Sequence, residues 1–268
     1  MDHLEFDHPE PDRAGLLAAY DRQMRREAPC DGPGARVERV GDVVRQVAAE
    51  HEWNGVLWSG LDAAGADAAI ADQKRYFTSV GRDLEWTVYS HDRPADLPAR
   101  LLAAGFVPEP AETLLVAEAA ALPAEAALPD GLRLVPVTDP AGVDLVADVH
   151  ERVFGAGRIR IRERLNAQLA EQPGTLEIVL AMAGDHPVGA ARMDLLPGVD
   201  FAGLWGGGTL APWRGRGVYR ALIAHRARIA VERGYRYLHV DASDQSAPIL
   251  RRLGFTALAT TTPYVYRP

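Results

Sequence analysis

The chain has 268 residues, 47% of them hydrophobic and 25% charged, with a formal net charge of −8. That length fits two compact domains, each able to bury a core, and the acidic balance excludes a broad nucleic-acid surface, which needs excess Lys and Arg to displace counterions. No apolar run approaches a membrane span, and with Cys30 the single cysteine an intrachain disulfide and a thiolate metal cluster are both excluded.

The opening Met1-Asp2-His3-Leu4-Glu5-Phe6-Asp7 is acidic where a secretory signal is basic, so the expected compartment is the cytoplasm. Cys30 sits in the turn-rich Ala28-Pro29-Cys30-Asp31-Gly32-Pro33-Gly34 and reads as a loop thiol. The turn Ser59-Gly60-Leu61-Asp62-Ala63-Ala64-Gly65 leads into a helix over 68–80. A strand over 84–89, a helix over 97–103, Gly105-Phe106 and a strand over 113–117 follow. From 116 to 130 the sequence is rich in Ala and Pro without a pattern and ends in the turn Pro129-Asp130-Gly131. We place the linker at 118–130, between an N-terminal domain at 1–117 and a C-terminal domain at 131–268.

In the second half, 132–137 alternates as a strand. Residues 139–154 have helical spacing, with Val143, Val146, Val149 and Val153 on one side, and 162–169 reads as a short helix. Strands are predicted over 177–183, 187–195 and 201–210, the last interrupted by Gly206, Gly207 and Gly208, which reads as a bulge where a ligand approaches the backbone. A long helix over 219–233, a strand over 237–242, a helix over 248–253 and a strand over 260–267 complete a mixed sheet with helices on both faces. The first half repeats part of this plan, which points to an internal duplication. Its helix over 68–80 corresponds to that over 219–233, but the preceding turn has no arginine and puts Asp62 where an anion would lie. The first half is therefore expected to keep the fold without the anion site.

The most informative stretch is Thr209-Leu210-Ala211-Pro212-Trp213-Arg214-Gly215-Arg216-Gly217-Val218-Tyr219. Its two glycines let the backbone turn tightly, and the helix that follows aims unpaired N–H groups and the positive end of its dipole into the turn. A diphosphate is the natural ligand. With the element order above and Arg251-Arg252-Leu253-Gly254-Phe255 downstream, residues 131–268 resemble the GNAT superfamily of acyl-CoA N-acyltransferases. The first half resembles a degenerate copy. The fold class this implies is α/β, with two tandem GNAT-like domains, each a mostly antiparallel mixed sheet flanked by helices.

The resemblance implies acetyl-CoA as cofactor, with Arg214, Gly215, Arg216, Gly217, Val218 and Tyr219 cradling its pyrophosphate. It also implies that Thr209 and Leu210 contact the pantetheine arm as a neighbouring strand would. Asp244 and Ser246 fill the region where family members often carry an Asn. Two departures stand out: Tyr219 replaces a small residue at the helix start, and Leu250 replaces the Tyr whose phenol protonates the departing thiolate. His239 takes the place of a Glu that some members use as base, and Asp241 shares its strand face, able to orient the ring or to act as base itself. The alternatives are a strand histidine satisfied by a neighbour and a turn-forming aspartate. Tyr264 and Tyr266 are further acid candidates or core residues. Asp148 and Glu151, with Arg158, Arg160 and Arg162, lie where the family shapes its acceptor pocket, the arginines as an acceptor contact or a solvated face. The function expected is transfer of an acetyl group from acetyl-CoA to an amine of a small molecule or peptide, by direct attack in a ternary complex. The alternative is a non-catalytic acyl-CoA-binding or regulatory module; no metal, nucleic-acid or membrane partner is expected.

Overall fold

The computed structural model describes residues 12–155 and 158–268. Helix α1 (Arg13–Tyr20) opens on Asp12, whose Oδ1 accepts from the Gly15 N–H at 3.0 Å, and runs into a wider turn at Asp21–Arg26. An antiparallel meander of β1 (Arg36–Val40), β2 (Val43–Val47) and β3 (Gly55–Ser59) follows. Helix α2 (Ala66–Ser79), β4 (Leu84–Tyr89), α3 (Leu97–Ala103), the short β5 (Val107–Pro108) and β6 (Glu112–Glu118) complete the first half.

The second half starts with β7 (Leu132–Pro136), α4 (Pro140–Phe154) and α5 (Arg158–Glu171). Asp139 caps α4 through its Oδ1 and the Gly142 N–H, 2.8 Å apart, and Gly155 ends the helix in a left-handed conformation. Strands β8 (Leu176–Ala183), β9 (His186–Asp194) and β10 (Phe201–Thr209) form a second meander. Then come α6 (Val218–Glu232), β11 (Tyr237–Ala242), α7 (Ala247–Arg252) and β12 (Thr256–Tyr266). Among the described residues no helix is long and apolar enough to cross a membrane.

The twelve strands of the described residues form one sheet, in the order β1-β2-β3-β4-β12-β6-β11-β10-β9-β8-β7, with β5 on β12. The duplication read from the sequence is visible as two parallel pairs, β3 with β4 and β10 with β11, each bridged by a helix. The two halves also exchange their final strands. β6 from the first half pairs along the whole length of β11, β12 from the second pairs with β4, and the exchanged strands pair with each other antiparallel.

Alternation along the central strands sorts the core into two faces. On one, α6 and α7 pack over Leu115, Leu204 and Leu238, while α2 and α3 pack over Val56, Trp86 and Tyr264. On the other, α4 and α5 cover Ile178 and Leu180, and α1 covers Leu114, Val116 and Phe201. Arg13 of α1 donates to the Ala257 carbonyl on β12, tying the first helix to the last strand. A fragment limited to 131–268 would lack both β6 and β4, leaving the edges of β11 and β12 unpaired. It is expected to self-associate in size-exclusion chromatography; a monodisperse monomer with native circular dichroism would show the exchange to be dispensable.

Candidate active site

β10 and β11 pair in parallel only from Phe201, Ala202 and Gly203 to Tyr237, Leu238 and His239. Beyond that point β10 shifts register against β9 between Trp205 and Gly208, and the two parallel strands part. Each glycine of the bulge has its own reason. Gly206 has φ +56°. A Cβ on Gly207 would lie 3.2 Å from the Tyr219 ring and 3.3 Å from Arg226 Nη2, and one on Gly208 only 2.8 Å from Val153 of α4. The bulge anticipated from the glycine run is therefore present, and Tyr219 sits inward against it. Gly207 supplies the space that the small helix-start residue of the family motif would otherwise have left.

The Arg–Gly turn lies at the outer end of this opening. The Leu210 N–H donates to the Val188 carbonyl on β9 at 2.9 Å. Alternation along the ladder then turns the backbone N–H of Thr209 the other way, toward the opening. Arg214 Nε donates to the Thr209 carbonyl at 3.1 Å. Gly215 and Gly217 have φ of +72° and +86°, and α6 begins after Gly217 with no side chain capping it. Arg214, Gly215 and Arg216 are exposed, while Val218 is buried as the anchor of the first helical turn. In the first half the equivalent turn closes on itself: Asp62 Oδ1 accepts from the Gly65 N–H at 2.7 Å, just ahead of α2. The α6 turn thus fits a diphosphate, with donors free and no carboxylate in it, while the α2 turn already holds its own anion.

His239 and Asp241 project from the same face of β11, as alternation requires. His239 is buried beneath Tyr20, ring centroids 5.2 Å apart, and beside Trp205, and its Nδ1 has no hydrogen-bond partner. Burial pushes the imidazole down to about 4, so it is neutral at pH 7. Asp241 accepts from Thr261 Oγ1 at 2.9 Å, and burial pushes it up to about 6. Its partner is Thr261 on the exchanged strand rather than the imidazole. Leu250 is fully buried in the core beneath α6 and α7, and Tyr264 and Tyr266 pack with the α2 and α3 layer. Asp244 is exposed, and Ser246 Oγ donates to the Ser243 carbonyl at 3.3 Å. Arg160 and Arg162 are exposed and face Asp83 at 3.9 Å and Asp144 at 2.6 Å. The Arg158 side chain lies outside the described residues.

Sequence reasoning missed a buried charged group on the His239 side of the opening. Asp194 of β9 stands opposite Gly203, which in turn stands opposite His239. Gly203 has no room for a side chain: a Cβ would meet Trp205 Nε1 at 2.7 Å and His239 Nε2 at 3.0 Å. Arg164 of α5 reaches Asp31 at 3.0 Å, Glu52 at 3.3 Å and Asp194 at 3.5 Å. Arg192, opposite Trp205, adds a second, half-buried guanidinium near Gly206 and His150. Burial pushes Asp194 up to about 6, raises Glu52 and brings Arg192 down to about 10. A signal was present: in Ala190-Ala191-Arg192-Met193-Asp194-Leu195 two charges share one face of an otherwise apolar strand. A second overlooked group is Arg226 on α6, 1% exposed, donating to the Leu222 and Arg192 carbonyls at 3.0 Å each.

Residues 138–255 match the model of the acetyltransferase (GNAT) family. No curated protein sequence matches the chain. Among solved structures, a GCN5-related N-acetyltransferase from Kribbella flavida superposes with a TM-score of 0.68 at 18% identity, covering 96% of this chain and 94% of its own. A functionally unknown conserved protein from Staphylococcus epidermidis gives 0.69 at 15% identity, with 90% and 96% covered. A tandem GNAT protein from the clavulanic acid biosynthesis pathway gives 0.57 at 16%, with 88% and 84% covered. The second half thus carries a GNAT acetyltransferase domain, and the chain as a whole has the mixed-sheet GNAT fold expected from its sequence, shared with a tandem member.

The raised Asp241 carboxyl gives a pH test. Because its folded-state value of about 6 lies above the ordinary 3.8, the folded protein holds this proton more tightly than the unfolded chain. Stability is therefore lost as pH rises from about 4 to 6. Asp241→Asn removes that cost and is expected to raise the melting temperature at pH 8, with the gain shrinking toward zero as pH falls to 4. A gain that does not vary with pH would rule out this carboxyl as its source.

Proposed function

We propose that this chain, whose residues 138–255 carry the GNAT domain, is an acetyl-CoA-dependent N-acetyltransferase of the cytoplasm, acting on an amine of a small molecule or peptide. In this reading 131–268 is the catalytic domain, 118–130 the linker, and 1–117 a companion domain without a coenzyme site that closes one side of the acceptor cleft. The observation that carries it is the uncapped start of α6 behind the left-handed Gly215 and Gly217, set at the mouth of the parting between β10 and β11.

The N–H groups from Gly215 to Tyr219, with the guanidinium groups of Arg214 and Arg216, hold the diphosphate. Thr209, its carbonyl taken by Arg214 Nε, offers its backbone N–H to the pantetheine arm together with the backbone of Gly207; Leu210, its N–H spent on Val188, fixes the strand in place. Asp244 and Ser246 border the coenzyme beyond β11. When bound, acetyl-CoA supplies the acyl group as a thioester. The chain's own task is to accept a proton from the attacking amine. A base works best with a pKa near the working pH, and at about 4 the buried His239 is a weak one. Asp194, at about 6 and in the same cross-strand row, suits the role better, with His239 shaping the cleft wall.

A second reading, acyl-CoA binding without turnover, draws on the buried Leu250, which leaves no phenol at the family's usual place. Thiol release from acetyl-CoA with a panel of amines distinguishes the two. For the coenzyme site itself, Gly217→Asp puts a side chain in a left-handed backbone and a carboxylate in the anion turn. Arg214→Glu reverses a charge there. Each is expected to abolish coenzyme A binding in calorimetry, while Asp62→Gly in the first half leaves one site per chain. Tight binding by Gly217→Asp would refute the assignment.

A further inference from the structure

The charged group beside the cleft is built by both halves and is short of one cation. Asp31, Glu52 and Asp194 all lie within 4 Å of a single guanidinium, Arg164. Arg192 also acts on all three, but among the described residues it makes no ion pair within that distance, and its Nε has no hydrogen-bond partner. Three carboxylates thus face two guanidinium groups. The Glu52 side chain is 1% exposed and that of Asp194 5%. Both Glu52 oxygens and Asp194 Oδ1 lack a hydrogen-bond donor. Among the described residues, the one cation besides Arg164 within 4 Å of Glu52 is His51, whose Nε2 lies 3.7 Å away on the more exposed side. Such orphaned acceptors carry a desolvation cost that a bound donor would remove.

The group is also held in place by its surroundings. Gln46 Oε1 accepts from the Asp31 N–H at 2.9 Å, and Gln46 Nε2 donates to the Trp53 carbonyl at 3.2 Å. Asn54 Nδ2 donates to the Glu52 carbonyl at 3.2 Å, and Gly32, with φ +112°, brings the Asp31 loop close over the Glu52 carboxylate. The buried polar residues of β2 and its following loop therefore aim first-half carboxylates at Asp194. Asp194 lies one cross-strand step from Gly203, the last residue before β10 and β11 part.

We propose that this cluster binds the ammonium group of the acceptor, and that the acceptor is a small cationic primary amine that carries no anionic group. The proposal rests on the acyltransferase reading. It assigns the first half a part in substrate recognition through Asp31 and Glu52. An ammonium, with three donors and one positive charge, matches the missing cation and the orphaned oxygens. A zwitterion brings a carboxylate into an already acidic site, and a neutral amine leaves the excess charge unmet.

The test uses the full chain saturated with coenzyme A and titrated by calorimetry with butylamine, putrescine, γ-aminobutyrate and aniline. Thiol release from acetyl-CoA is followed with the same amines. Butylamine and putrescine are expected to bind and to be acetylated, γ-aminobutyrate to bind about tenfold more weakly or worse, and aniline not to bind. Glu52→Gln is expected to weaken butylamine binding by about tenfold and raise its KM in step, with coenzyme A affinity within about twofold of the parent. Asp31→Asn, at the more exposed end, is expected to shift both the same way by less. Should Glu52→Gln lose coenzyme A binding as well, Asp31→Asn decides. Equal binding of the zwitterion or the neutral amine overturns the proposal. So does unchanged butylamine binding in the variants, or no binding of either cation to the coenzyme-bound chain. If the parent fails to bind coenzyme A, the acyltransferase reading falls, and butylamine titration of the free protein still decides the cation site.

Discussion

Two parallel strands that separate inside a sheet leave N–H and C=O groups facing a gap, and backbone polar groups left without partners are costly. In this protein β10 and β11 part after Gly203 and His239, and almost every feature of the site answers to that separation. The three-glycine bulge makes it sterically feasible, because Val153, Tyr219, Arg226 and Arg192 crowd in from both faces. α6 seals the gap on one side with its uncapped start at the outer end. On the other side, residues of the first half come over the top. Under the proposed function, a coenzyme arm lying in the gap pairs with the exposed backbone as a strand does, and the separation that weakens the sheet is what admits it.

The two halves handle the same topology differently. Each has a parallel strand pair bridged by a helix, but the first half fills its helix start with Asp62 while the second leaves its own open. A single carboxylate occupies the turn at one N-terminus, and two left-handed glycines leave the other open. The first half is not inert for that reason. Its loops carry Asp31 and Glu52 into contact with Arg164 of α5, so the charged wall beside the gap belongs to neither half alone.

Much of this was readable in the sequence, and the remainder was hidden for definable reasons. The elements of the second half follow their hydrophobic periods closely. The largest shifts are the start of α5, at Arg158 rather than 162, and that of β12, at Thr256 rather than 260, where a register change between Ala257 and Ala259 breaks the alternation. The meander of β1 to β3 escaped notice because β2 reads Val-Val-Arg-Gln-Val: every residue is buried, and its two polar members are satisfied by partners on other segments, Arg45 by Glu38 and Gln73, Gln46 by Asp31 and Trp53. Binary pattern fails where polar side chains are buried and paired. The Arg–Gly turn was legible because its conformational demands are local. The carboxylate wall was not, since it is assembled from four segments, around residues 31, 52, 164 and 194, whose proximity only the fold decides. Strand alternation put His239 and Asp241 on one face, but the α1 cover that deprives the imidazole of solvent cannot be read from β11 itself.

The exchange of β6 and β12 has a consequence for how this molecule responds to dilution. Two separate chains that traded edge strands would hold their common sheet only above some threshold of abundance, because the trade would be bimolecular. Here the segment joining β6 to β7 keeps both donors on one polypeptide, so each strand meets its acceptor at a local concentration set by tether length alone. The sheet that frames the gap, and the wall built across the two halves, therefore persist unchanged however scarce the protein becomes.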